Sequence, residues 1–70
     1  MDRDTTLNLL ALAILHVEEV ERHIAQRHEI ITSLEWNDLD TSPAKVALVQ
    51  IEQLHDMLVV DRDRMEKELA

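Results

Sequence analysis

The chain has no cysteine, glycine, tyrosine or phenylalanine, and only one proline and one tryptophan. Each absence removes a class of structure. Without cysteine no disulfide staples the fold, and the usage fits a reducing compartment. Without glycine, tight β-hairpin turns and the phosphate-cradling loops of nucleotide-binding enzymes lack the residue that builds them. With aromatic residues at 1%, strands lose the side chains they favour. The composition that is left suits α-helix, and the fold class it predicts is all-α.

Turn formers gather in one stretch, Trp36-Asn37-Asp38-Leu39-Asp40-Thr41-Ser42-Pro43. Proline fits the first turn of a helix, where its missing N–H has no partner to lose, and a hydroxyl of Thr41 or Ser42 is placed to accept an orphan backbone N–H. The chain therefore divides into helix 1 over about 5–36, a turn over 37–42 and helix 2 over about 43–69. Asp4, Thr5 and Thr6 are candidate N-caps of helix 1, and Asn37 is the expected left-handed C-cap in place of glycine. Leu39 is expected to tuck under the turn and Trp36 to seal the end of the core, a packing role preferred to a binding one. Arms of similar length with a short connection fold back antiparallel, so residues 1–70 read as one helical hairpin.

Leu10, Ala13, Val17, Val20, Ile24, Ile31 and Leu34 recur at steps of three and four along helix 1, with Arg27 or His28 filling one slot. The matching seam of helix 2 is Ala44, Ala47, Leu48, Ile51, Leu54, Leu58, Met65 and Leu69. Apolar residues also lie outside both seams. Leu7, Leu9, Leu12, Ile14 and Leu15 crowd the first half of helix 1, and Val46, Val49, Met57 and Val60 lie roughly opposite the seam of helix 2. A helix with two apolar faces needs two neighbours. A small chain with neither disulfide nor large core completes its burial with a metal or by self-association. The expected architecture is thus an antiparallel hairpin that dimerises into a four-helix bundle, with Leu7, Leu9, Leu12, Leu15, Val46, Val49, Met57 and Val60 at the association surface.

Fifteen acidic and seven basic side chains give a net charge of -8 and a pI near 4.7. The acids are spread along the chain, with no basic patch to displace counterions from a polyanion, so neither nucleic acid nor an anionic membrane is an expected partner. The most apolar run, Leu7 to Val17, holds Asn8 and His16 and falls short of the roughly 20 residues a membrane-spanning helix needs. Asp2, Arg3 and Asp4 ahead of it do not form the positive region of a signal peptide. A cytoplasmic location is expected.

Possible chemistry is confined to histidines and nearby acids. Glu52 and His55 form a Glu-x-x-His, the spacing that presents two ligands on one helix face in di-iron bundles. His16, Glu19 and His23 share one side of helix 1 at spacings of three and four, and both sets are competent metal ligands. Chance supplies such spacings easily in helices this rich in glutamate, and solvated or seam-edge histidines are the preferred reading. No nucleophile stands with an obvious base, so neither catalytic residues nor a cofactor is expected. His55 and His28 lie near the seams, where burial opposes protonation, while His16 and His23 sit nearer acids. On that reading, acidification from about pH 7.5 to about pH 5.5 lowers the melting temperature.

The sequence from Arg22-His23-Ile24-Ala25 through Ile30-Ile31-x-x-Leu34, then Leu39-Asp40-Thr41 and Ala44, to the helix with Leu54, Leu58, Asp61-Arg62 and Leu69 resembles small uncharacterised bacterial helical-hairpin proteins, of a kind familiar from alphaproteobacteria. The resemblance covers about residues 20–70 and rests on packing and capping positions. It implies a hairpin and a bacterial cytoplasmic setting, and brings no activity or site residue with it. The architecture also looks like the repressor-of-primer dimer, in which two hairpins make a four-helix bundle, although the basic RNA-reading face is absent. The expected role is a small acidic, non-enzymatic interaction module that forms a homodimer and offers its exterior to a protein partner. The alternative is a metal-binding bundle using Glu52, His55 and one or more of His16, Glu19 and His23.

Overall fold

Asp2 starts the first helix in the computed structural model, which describes residues 2–70. Its carboxylate Oδ1 accepts the N–H of Thr5 at 2.7 Å, and its carbonyl accepts both the N–H and the hydroxyl of Thr6. The cap therefore precedes the Asp4–Thr6 cluster expected to provide it, and Thr6 becomes a buried seam residue. Its hydroxyl is already bonded to the backbone, so burying it leaves no polar group unmet. Helix α1 then runs Arg3–Trp36 and helix α2 runs Ser42–Leu69, and the two pack against each other as a hairpin.

The connection solves the lack of glycine with an aspartate. Leu39 N–H donates to the Leu34 carbonyl at 2.9 Å and Asp38 N–H to that of Glu35 at 3.1 Å, the paired bonds of a Schellman cap. The residue such a cap holds left-handed is Asp38, with φ of 55°, and not Asn37, whose φ is -96°. A short polar side chain tolerates this region better than a branched one. Asn37 contributes through its side-chain amide, which donates to the Ser33 carbonyl at 2.7 Å. At the start of α2, Thr41 makes no side-chain cap bond; Asp40 Oδ1 accepts the Ser42 N–H at 3.0 Å instead. A carboxylate is the better acceptor at the positive end of a helix.

The α1 seam falls as the spacing predicts. Ala13, Val17, Val20 and Ile31 are buried, and Leu10, Ile24 and Leu34 half-buried. Neither Arg27 nor His28 fills the gap between Ile24 and Ile31; both are exposed. In α2 eight of the half-buried residues, Ala44, Leu48, Ile51, His55, Leu58, Arg62, Met65 and Leu69, alternate steps of four and three over the whole helix, with Ala47, Val59 and Asp61 half-buried beside them. Leu54, expected in the seam, is 45% exposed, and His55 holds its slot. From Ile51 to Leu58 either residue satisfies the local spacing; only His55 keeps the alternation that the rest of α2 follows. Two further expectations fail at the tip, where Trp36 is 87% exposed and Leu39 is also exposed. With only two helices, the end of the seam presents no cavity for an indole to fill.

The result is a rod of 53 × 14 × 14 Å, closed at its open end by the Arg3 guanidinium donating to the Leu69 carbonyl at 3.3 Å. Its radius of gyration is 16.1 Å, against about 11 Å for a compact chain of this length. It exposes 5309 Å², against about 4,500 Å² for a folded monomer of 8.1 kDa, an excess of about 800 Å².

Val17 is the most completely buried apolar side chain, at 2% exposure. Val17→Ala is expected to cost about 2 kcal/mol, read as a lower urea midpoint at unchanged slope. Both capping carboxylates, Asp2 and Asp40, are held below their ordinary pKa of 3.8, chiefly by the backbone N–H groups of Thr5 and Ser42 that they accept. The folded state therefore binds its proton later than the unfolded chain. Their contribution is complete above that ordinary value and is lost as pH falls through the depressed one. Melting temperature measured across the acid range should show a loss below about pH 3.8 that is smaller in the Asp2→Asn, Asp40→Asn double variant.

Candidate functional site

Residues beside the seam form two flanks, and their places follow from the seven-residue repeat once one cross-helix contact is fixed. That contact is Lys45 Nζ to Glu35 Oε1 at 3.9 Å, both largely exposed and so of little energetic weight. Stepping back by sevens from Glu35 reaches His28, Glu21, Ile14 and Leu7; stepping forward from Lys45 reaches Glu52, Val59 and Glu66. This is the charged flank. His55 leans onto it from the seam, its Nε2 at 3.1 Å from Glu21 Oε2.

The other flank carries Leu9, His16, His23 and Ile30 from α1, and Ala47, Leu54, Asp61 and Glu68 from α2. Leu12, Gln26, Gln50 and Met57 lie along its outer edge. Its charges sit towards the open end, where Glu19 lies and where Arg64 donates to Asp61 Oδ1 at 3.1 Å. Towards the turn it has none.

Seven of the eight residues expected at the association surface are exposed: Leu7, Leu12 and Leu15 on α1, and Val46, Val49, Met57 and Val60 on α2. Leu9 is half-buried against the seam. Leu54, expected in the seam, and Ile30, not singled out for this surface, are also exposed apolar residues. Each immediately precedes a seam residue, His55 or Ile31, so the signal was present in the register once that of α2 was assigned correctly.

The metal candidates are not brought together. Glu52 is exposed on the charged flank and His55 faces Glu21, while His16, Glu19 and His23 are exposed on the opposite side of the hairpin. Among the described residues, no three His, Asp or Glu side chains converge as a metal-binding group. The seam lies between the two sets. The histidines also differ from the sequence expectation in their surroundings. His28 is exposed, and His55 is half-buried beside a carboxylate, so the premise of rings sealed among apolar side chains fails for both.

Shallow, open surface grooves are present, including one along α1 lined by His28, Glu29, Thr32, Ser33 and Trp36 and one on α2 lined by Asp56, Met57, Val60 and Asp61. In the first, the Thr32 hydroxyl donates to the His28 backbone carbonyl at 3.0 Å. No described helix is long and apolar enough to cross a membrane. Comparison with known proteins finds no family model, no curated protein and no solved structure that matches this chain.

Separation of the ligand sets generates a direct test. Zinc in excess, like chelator, is expected to leave the melting temperature unchanged. A rise with zinc that His16→Ala or His55→Ala abolishes would re-establish a metal site.

Proposed function

We propose that this hairpin is a non-enzymatic, self-associating helical module. Two copies pair through apolar side chains left outside the seam, Leu7, Leu9, Leu12 and Leu15 of α1 with Val46, Val49, Met57 and Val60 of α2, and form a four-helix bundle. Its acidic exterior then meets a protein partner. A bacterial cytoplasmic setting, implied by the resemblance of residues 20–70 to bacterial hairpin proteins, belongs to the same proposal.

The observation that carries it is the surface excess. The hairpin exposes about 800 Å² more than a folded monomer of its mass, and about 800 Å² per partner is what a standard protein interface buries. The exposed apolar residues on both helices supply the chemistry for such burial. Two chains of net charge -8 repel at long range, so the apolar contact must overcome that repulsion.

Sedimentation equilibrium at micromolar concentration tests this reading. The expected mass is twice 8.1 kDa, with dissociation favoured at low salt, where the repulsion is least screened. A stable, folded monomer at all concentrations and salt levels would overturn it.

A further inference from the structure

We propose that the second copy docks on the uncharged flank of the hairpin, centred on Ile30, Ala47, Leu54 and Met57. The outward stripe of Val46, Val49 and Val60 stays outside the dimer contact. This inference rests on the self-association reading and relocates its contact surface: of the eight residues named for it, only Leu9, Leu12 and Met57 lie on this flank.

The argument is the distribution of charge around the rod. In the half nearer the turn, the flank that carries Ile30 and Leu54 consists of His23, Gln26, Ile30 and Ser33 from α1, and Pro43, Ala47, Gln50, Leu54 and Met57 from α2. It includes no Asp, Glu, Lys or Arg, in a chain in which 31% of residues are charged. The same half of the opposite flank holds Glu21, Glu35, Lys45, Glu52 and Asp56. A symmetric dimer sets each patch against the matching patch of an identical chain. The charged flank is net acidic, so its use sets acidic surface against acidic surface, and two chains at -8 approach with least repulsion where charge is missing. A foreign partner has no such constraint, since a basic one would be drawn to the acidic flank.

The apolar content points the same way. Ile30, Leu54 and Met57 are all exposed; Ile30 and Leu54 lie directly beside the seam and Met57 at the outer edge of the same flank. Burying them extends the existing core sideways, as in a bundle, where each helix packs on two neighbours at once. Val46, Val49 and Val60 face away from α1 or towards the charged flank, and a copy docked there would leave the exposed edge of the seam open. Gln26 and Gln50 give the patch polar groups that stay hydrogen-bonded at its rim.

Because the chain has no cysteine, single thiols report on burial without background. Leu54 and Val49 are similarly exposed in one hairpin, at 45% and 53%, and lie on opposite sides of α2. Leu54→Cys and Val49→Cys are to be labelled with maleimide at concentrations spanning the monomer–dimer transition measured by sedimentation. The two rates should be alike in dilute solution. In the dimer, Leu54→Cys should slow by about tenfold or more while Val49→Cys changes little, the factor following the remaining fraction of monomer. As a second measure, Leu54→Glu should weaken association by about tenfold or more and Val49→Glu by about twofold or less. A dimer in which both thiols react alike, or in which Val49→Cys alone is protected, would overturn the assignment of the face and leave self-association standing. A chain that stays monomeric would remove both.

Discussion

Two helices placed side by side hide one stripe each, and this geometric limit governs the whole structure. Among the described residues no large side chain is fully buried, and the seam of α2 is made of half-buried residues alone. The seam works because its two rows alternate steps of three and four in strict register. The same register decides where everything else must go, because a residue one place off the seam falls on one flank and a residue two places off falls beyond it. The cross-helix pairs, Glu35 with Lys45 and Glu21 with His55, mark one flank as charged, leaving the other comparatively free of charge near the turn.

Much of this was legible from the sequence. The clustering of turn formers between Trp36 and Pro43 places the hairpin bend within a residue or so, and the apolar spacing places Ala13, Val17, Val20 and Ile31 in the core. Misreadings arose where a local rule competed with a longer-range one. Leu54 was preferred to His55 because it is apolar, although the alternation running from Ala44 to Leu69 requires His55. Asn37 was preferred to Asp38 as the left-handed residue because asparagine is the commoner substitute for glycine, whereas the cap bonds from Asp38 and Leu39 fix which residue turns. Trp36 was assigned to the core because a lone aromatic beside a turn commonly seals one, and a two-helix core has no interior at its end to be sealed.

The candidate surface was partly legible for a related reason. Sequence spacing identifies apolar residues that fall outside a seam, and it found those on the back of α2 correctly as exposed. It does not by itself say which flank of α1 adjoins which flank of α2. That requires one fixed contact between the helices, here Glu35 with Lys45. Once the flanks are matched, His16 and His23 separate from Glu52 and His55, and two plausible ligand sets become unrelated groups on opposite sides of a rod.

The Arg3 guanidinium bonds to the Leu69 carbonyl, so the chain enters and leaves the hairpin at one pole, while Trp36 stands exposed at the other, along a body 53 Å in length. Mechanically, a body held at the Arg3 pole would be a lever. A linkage made at either end of the chain holds the same pivot, and the indole is carried at the greatest reach the molecule has. A small rotation at the pivot thus moves the tip much further than it moves any part of the seam.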